Sequence, residues 1–427
     1  MNAAVREHTV CVGDRCVPVG ALRFGQARGK QISTFRYLPE WLARQEAFAL
    51  APSLPLAPQA HHFSSRPDDT AACLPGAIAD AAPDAWGRGI IARAAGHGLD
   101  ELDYLLAVDD KTRQGALRIL DGDGVPLASE APPVPRMVDM ARLHRLCSNL
   151  QAGAGDLRQI ARELRGASAS MGGARPKAVI AGDDGTLYVA KFTTGSDTRP
   201  IERVEVSTLA LAREVGVRAA RASLAMPESD EPVALIERFD RGPGGAGRRH
   251  YLSAQSFIGA FKGERRFYTD IADALRSACR TGDRALAELE ELHRRILFAI
   301  LVSNTDDHLK NHGLLYDGAG GWTLSPAFDL NPQPFRHRQL KTGISELSGF
   351  EPSVEAWVEA APFFEVSEDR ARATAAAMAA RIAGRWRGLL LDNGVTEGQC
   401  SEYAAAFEHE QMSVALGMVR PRTGVGY

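Results

Sequence analysis

This chain is poor in lysine: it has seven among 427 residues, against 43 arginines. Arginine is its default cation, so a lysine inside a motif marks a place where a flexible point charge suits better than a rigid guanidinium fork. Long apolar runs are missing as well. No stretch approaches the roughly 18 consecutive apolar residues of a membrane-spanning helix. The opening residues, MNAAVREHTV, lack the apolar core of a secretory leader, so a cytoplasmic protein is expected. The formal net charge of −3 sets aside a general nucleic-acid binder while leaving room for a local basic face. The six cysteines, Cys11, Cys16, Cys73, Cys147, Cys279 and Cys400, show neither CxxC nor metal-site spacing. Free thiols in a reducing cytoplasm are therefore expected. Internal repeats and low-complexity tracts are absent too. What remains is an ordinary globular composition, 45% hydrophobic and 24% charged, with length for two or three domains.

Local patterning places the elements. Alternation over 9–12 and 17–24, around Gly13-Asp14, predicts a β-hairpin, and PDAWGRGIIARAA a helix near 84–96. Four prolines in 125–136 mark a linker. Residues 137–165 read as helical, and 177–180 with 186–192 form a second hairpin. An amphipathic helix over 202–216 closes on Gly216, and a strand follows at 233–239. Beyond the GPGGAG loop at 242–247, helices dominate: 254–260, 267–279, 284–303, 366–390 and 397–418. The division expected is a β-rich segment 1–124, the linker 125–136, a β-rich lobe 137–240 and a helical lobe 241–427.

The chemistry concentrates in 304–329, NTDDHLKNHGLLY followed by WTLSPAFDL. Asp306, Asn311 five residues later, and Asp329 beyond an apolar hairpin give one acid able to take a hydroxyl proton and two oxygen ligands suited to Mg²⁺. Singly, each reads equally well as a turn or cap residue. Jointly, the D-x4-N spacing equals that of the protein-kinase catalytic loop, with the hairpin returning a second acid beside it. FDL stands where kinases have DFG. Upstream, SMGGARPK at 170–177 is a small-residue turn whose N–H groups, Gly172 and Gly173 included, suit phosphate oxygens. It matches neither GxxxxGK[ST] nor GxGxxG, and a plain connecting turn fits as well. Lys191 lies late in its strand and needs a partner, for which ATP phosphates and Glu205 are candidates. Glu237 and Phe239 fit a hinge that meets adenine.

Together these residues resemble the HipA family, bacterial serine/threonine kinases that form the toxin half of toxin–antitoxin pairs. The motifs are SMGGARPK, YVAKF at 188–192, the Glu205 helix ending LAREVGV, LIERFDR at 235–241, NTDDHLKN and LSPAFDL, with PDAWGR at 83–88 and GALRI at 115–119. The resemblance implies an α+β, two-lobed kinase fold: a β-rich N-terminal lobe with a small N-terminal subdomain, and an all-α C-terminal lobe. It implies Asp306 as catalytic base, Asn311 and Asp329 as Mg²⁺ ligands, and ATP contacts from Lys191, Lys177, Gly172, Gly173, Glu237 and Phe239. Lys310 is a candidate for the γ-phosphate, His308 is structural, and Ser170 is the autophosphorylation position that switches the enzyme off. The implied partners are a helix-turn-helix antitoxin, DNA only through that antitoxin, and a host translation component such as an aminoacyl-tRNA synthetase. Two departures stand out. Asp307 gives TDDH where some members have TDGH, and it is expected to face solvent or hold the loop. Arg175-Pro176 replaces a polar-acidic pair. A small-molecule phosphotransferase and an antitoxin-binding corepressor without catalysis are the alternative readings.

Overall fold

The computed structural model describes residues 5–122, 124–127, 134–165, 175–279, 281–335 and 338–418. Ser170, Gly172 and Gly173 lie outside them. The chain divides into two compact units, each assembled from three stretches rather than along the linear boundaries read above. The first holds 1–196, 235–264 and 313–322; the second holds 197–234, 265–312 and 323–427.

In the first unit, β1 (Arg6–Val12), β2 (Val17–Ala27), β3 (Lys30–Tyr37), β4 (His61–Ser64) and β5 (Leu117–Ile119) form an antiparallel sheet in the order β4-β3-β2-β1-β5. Period-two alternation buries Leu22 and Phe24 of β2 and, paired with them, Ser33, Phe35 and Tyr37 of β3 on one face. Gly20 is obligatory there, because a Cβ would stand 2.3 Å from the Phe35 ring. The hairpin turn brings the Cα atoms of Cys11 and Cys16 to 5.1 Å, and the two are joined in a disulfide. The expectation of six free thiols is thus corrected for this pair: hairpin closure, invisible in a CxxxxC spacing, sets the cysteines side by side. Cys73, Cys147, Cys279 and Cys400 are free.

The same unit carries β6 (Lys177–Ala181) and β7 (Leu187–Phe192), with β7 between β6 and β9 (Val233–Glu237). Helix α1 (Ala85–Ala95) matches its predicted span. The predicted helix 137–165 is interrupted: α2 (Met140–Ala152) stops at Gly153, left-handed at φ 68, and a new helix runs over Leu157–Arg165. Residues 125–127 are not free linker, since Pro126 bridges Leu120 and Leu127 N–H donates to Ile119 O. A three-stranded sheet, β10 (Tyr251–Ser253), β11 (Gly313–Tyr316) and β12 (Trp322–Leu324), contains the hairpin predicted after NTDDHLKN.

The second unit is mostly helical. Helices α3 (Ile201–Glu214), α4 (Tyr268–Ala278), α5 (Gly282–Leu301) and α6 (Glu368–Asp392) surround a core that includes Leu292, Ile296, Trp357, Phe364 and Ile382. The unpredicted β8 (Ala222–Ala225) neighbours β9, whose first two residues belong to this unit. The final predicted helix splits at His409, which caps the second segment by accepting from Met412 N–H. Among the described residues, no helix is long and apolar enough to cross a membrane.

Buried imidazoles make stability depend on pH. Burial pushes His250, His293 and His409 down from 6.5 to about 4. In His250 and His293, Nε2–H donates to a carbonyl, Leu50 O at 2.8 Å and Trp357 O at 3.1 Å, so an added proton must enter at Nδ1. The unfolded chain therefore takes up protons first as pH falls. Stability is full above about pH 6.5 and erodes toward pH 4, by on the order of 1–3 kcal/mol per histidine. Urea midpoints at pH 7.5 and 4.5 check this: a marked fall is expected, and a flat profile contradicts it.

Candidate active site

The catalytic-loop candidate begins where α5 ends. Ser303 adopts a left-handed backbone (φ 54), and Asn304 N–H reaches back 2.8 Å to Ala299 O, closing the helix in a Schellman-type turn. Ser303 Oγ donates to Ala406 O at 2.9 Å, fixing the exit point. The next two acids then face opposite ways: Asp306 is exposed and Asp307 is buried. Asp307 Oδ2 accepts from Tyr268 Oη–H of α4 at 2.6 Å and from His312 Nε2–H at 3.0 Å. Its carbonyl accepts from Thr342 Oγ1 at 2.8 Å, and Thr305 O accepts from Lys341 N–H at 3.2 Å. Burial opposes ionisation of Asp307, but the neighbouring His312 and the two hydrogen bonds outweigh it and hold the carboxyl below its ordinary range. Of the two roles expected for Asp307, holding the loop is the one observed.

The loop is therefore a rigid mount for an exposed carboxylate. Tyr268→Phe removes one charge-assisted bond from a buried anion, which costs roughly 1.5–3 kcal/mol. A thermal or urea melt should show that loss without a change of fold, and wild-type stability would mean that His312 alone suffices.

Asp329 arrives on an equally braced segment. Arg295 of α5, itself buried, donates from Nη2 to Ser325 O at 2.7 Å and from Nε to Glu291 Oε1 at 2.7 Å. Ala327 bonds in both directions with the stretch after α3, its N–H to Arg218 O at 2.7 Å and its carbonyl to Ala220 N–H at 2.9 Å. Asp329 has φ 57, a left-handed conformation that Asp tolerates better than most residues. Asn331 Nδ2 donates to Asp329 Oδ1 at 3.1 Å, while Asn331 N–H donates to Asn304 Oδ1 at 3.0 Å. The first residue of NTDDHLKN thus ties the two motifs together. A small cavity lies between them, lined by Asp307, Asn311, His312, Arg295, Phe328 and Leu330.

Within this unit Asp306, His308, Lys310, Asn311 and Asp329 occupy one neighbourhood, the first four on a single loop. Asn311 is half-buried and donates from Nδ2 to Asp306 O at 3.4 Å, and Lys310 is exposed. His308 is half-buried; its backbone N–H donates to Asp306 O and its carbonyl accepts from Asn311 N–H. Among the described residues no group of three His, Cys, Asp or Glu side chains could hold a metal. One carboxylate and one amide oxygen fit Mg²⁺ all the same, because that ion keeps most of its shell for water and substrate phosphates. Glu205 is buried on α3.

The first unit positions the remaining candidates. Lys191 on β7 is half-buried, and strand register sets it directly opposite Lys177 on β6. Lys177, expected at the phosphates, is instead buried, with Nζ 2.8 Å from Asp84 Oδ2. Two cations on one face repel, and a buried ammonium requires a counter-charge. Asp84 also caps α1 by accepting from Gly87 N–H at 2.7 Å, and Trp86 Nε1 donates to Lys177 O at 3.1 Å. The PDAWGR segment therefore anchors β6. Glu237 ends β9 and Phe239 follows it, both half-buried.

Sequence reading missed Tyr268, His312, Thr342, Arg295 and Asn331, all of which hold the site without carrying a motif of their own. Only Asn331 and His312 stood close enough to a motif to be questioned.

A family model described as HipA-like C-terminal domain matches residues 169–386, and one described as HipA N-terminal domain matches 9–120. A Sinorhizobium fredii protein named "Putative kinase Y4mE" is 27% identical over 329 residues, covering 72% of this chain and 74% of that protein. A second from the same organism, "Putative kinase Y4dM", is 38% identical over 98 residues, 22% of each chain. The solved structure of Shewanella oneidensis HipA in complex with HipB and operator DNA aligns with a TM-score of 0.67 over 96% of both chains at 16% identity. That likeness bears out the α+β fold expected from the sequence.

Proposed function

This chain belongs to the HipA family, and on that premise we propose that it is an ATP-dependent protein serine/threonine kinase acting as the toxin of a toxin–antitoxin pair. The observation that carries the reading is the exposed Asp306 on a loop locked by Asp307, with Asn311 on the same loop and Asp329 tied to it through Asn304 and Asn331. Asp306 accepts the proton of the acceptor hydroxyl as that oxygen bonds to the γ-phosphorus and the bond from the γ-phosphorus to the bridging oxygen breaks, releasing ADP. Asn311 and Asp329 would hold Mg²⁺, which would supply neutralisation of phosphate charge. Lys191 fixes the phosphates, Lys310 stands at the γ-phosphate, and Glu237 with Phe239 meets adenine. Most of the rate enhancement comes from positioning and charge, which suits a site whose loop is held by the buried Asp307, Tyr268 and His312.

The same reading assigns Ser170 as the autophosphorylation site, its added charge repelling the ATP phosphates and switching the enzyme off. The partner is a HipB-like helix-turn-helix antitoxin, through which DNA is contacted, and the target is a translation component such as an aminoacyl-tRNA synthetase. Support for the antitoxin comes from the HipB-bound Shewanella relative.

Incubating purified protein with Mg-ATP and mapping phosphopeptides tests the reading. Phosphate on the Ser170 peptide, absent from an Asp306→Ala variant, is expected. ATP turnover that labels a small hydroxylated acceptor and no protein would overturn it in favour of a small-molecule phosphotransferase.

A further inference from the structure

The LIERFDR segment alternates in the manner of an extended strand. Glu237 and Phe239 are half-buried, whereas Arg238 and Asp240 are fully buried on the opposite side. That hidden side is an ion-pair cluster joined to main chain. Asp240 accepts from Arg238 Nε at 3.0 Å and Nη2 at 2.7 Å, from Arg241 Nη1 at 2.8 Å, and from Gly115 N–H at 2.7 Å. Arg238 also donates to Thr112 O at 2.8 Å and Arg113 O at 3.1 Å, and Arg241 to Arg113 O at 2.7 Å and Gly115 O at 3.0 Å. The side chains of Arg238, Asp240 and Arg241 reach the main chain of 112–115, beside the GALRI strand, while the segment's own backbone bonds to Leu187 O through Arg238 N–H and to Arg249 N–H through Asp240 O. Burial alone would favour a neutral Asp240, but the two guanidiniums hold its carboxyl far below the ordinary range.

The far side of the clamp is equally tight. Gly115 has φ +76, and a Cβ there would stand 3.2 Å from Tyr251 N. The Tyr251 ring lies 6.2 Å from that of Phe239. Residues 112–115 are thus connected to Phe239 by two routes, through the Arg238–Asp240 cluster and through Tyr251. A cluster with this much buried charge is expensive to desolvate, and hydrophobic residues would stabilise the same space at least as well. What it adds is orientation: planar forks fix a backbone segment in register as apolar packing does not.

We propose that Arg238, Asp240 and Arg241 are positioning residues for nucleotide binding, which lock the backbone of 237–239 onto residues 112–115 so that the N-terminal segment sets the affinity for ATP. The inference rests on reading Glu237 and Phe239 as the adenine hinge. By linkage, bound nucleotide must in turn tighten 112–115.

The experiment measures binding of a non-hydrolysable ATP analogue, and kcat at saturating ATP, for wild type, Arg238→Lys and Asp240→Asn. Lysine keeps the charge but cannot span the bonds to Asp240, Thr112 and Arg113. Analogue affinity should fall about 5- to 50-fold, with kcat held within about twofold. A purely structural role would instead lower the folded fraction and leave the remaining molecules unchanged in affinity. Because Asp240→Asn risks misfolding, hydrogen exchange on the wild-type protein supplies a second readout. Saturating analogue should slow exchange in peptides covering 108–120. Unchanged affinity in folded Arg238→Lys, or exchange at 108–120 indifferent to bound analogue, overturns the proposal. A wild-type protein that binds no nucleotide would instead overturn the kinase reading itself.

Discussion

Asp306→Asn lowers single-turnover phosphoryl transfer by about 10³-fold or more while leaving the melting temperature unchanged. The size follows from the role. A positioned general base supplies roughly 10²–10⁴-fold, and in this site it also orients the attacking hydroxyl, so both contributions fall together; a factor of 10³ corresponds to about 4 kcal/mol of barrier. The silence of the fold follows from the geometry. The Asp306 side chain is exposed, and the loop is fastened by its neighbours: Asp307 to Tyr268 and His312, Thr342 to the Asp307 carbonyl, and the Asp306 carbonyl to the His308 N–H. None of those bonds uses the Asp306 carboxylate, so exchange for an isosteric amide stays within about 0.5 kcal/mol in stability. Quench-flow with labelled ATP and a differential scan on the same sample check both halves. A folded Asp306→Asn protein that transfers phosphate at the wild-type rate would remove Asp306 from the chemistry.

Asp329 gives the second large effect, and its two substitutions should separate. Asp329→Asn removes the charge, which lowers transfer by about 10²–10³-fold and raises the Mg²⁺ concentration needed for half-maximal rate. It keeps the left-handed backbone at little cost, because Asn tolerates φ near +57. Asp329→Ala loses the charge and also strains that backbone, so it should in addition unfold about 1–2 kcal/mol more easily. It also deprives Asn331 Nδ2 of its acceptor. Rate against Mg²⁺ concentration, with urea melts of both variants, measures the two effects separately. Equal stability of the Asn and Ala variants would mean that the positive φ carries no strain, and an unshifted Mg²⁺ dependence would remove Asp329 from the metal.

The residues proposed to do the chemistry stand out in the sequence because they are few, polar and closely spaced. Asp306 and Asn311 sit five positions apart, and Asp329 follows one short hairpin later, so local order suffices to group them. The hairpins and the longer helices were legible for the same reason, since their periodicity is local. Their supports were not. Tyr268 meets Asp307 across 39 residues, Asp84 meets Lys177 across 93, and Asp240 meets Gly115 across 125. Nothing in the local pattern of either partner declares such a match. Lys177 illustrates this: its motif pointed to phosphate, and nothing local showed that its ammonium meets the Asp84 carboxylate. The break in 137–165 was missed because Gly153 inside a helical pattern reads as tolerated until its left-handed backbone is seen. The Cys11–Cys16 disulfide escaped for a related reason, since it depends on hairpin closure and not on a recognised spacing.

The kinase reading is tested most directly in cells, by phosphoproteomics after brief induction of the wild-type chain beside Asp306→Ala. Phosphoserine or phosphothreonine should appear on a small set of host proteins, and on the Ser170 peptide, within minutes in the wild type and in none of the Asp306→Ala cultures. Identical phosphopeptide profiles in the two strains, with both proteins expressed and folded, would contradict a protein kinase built on Asp306.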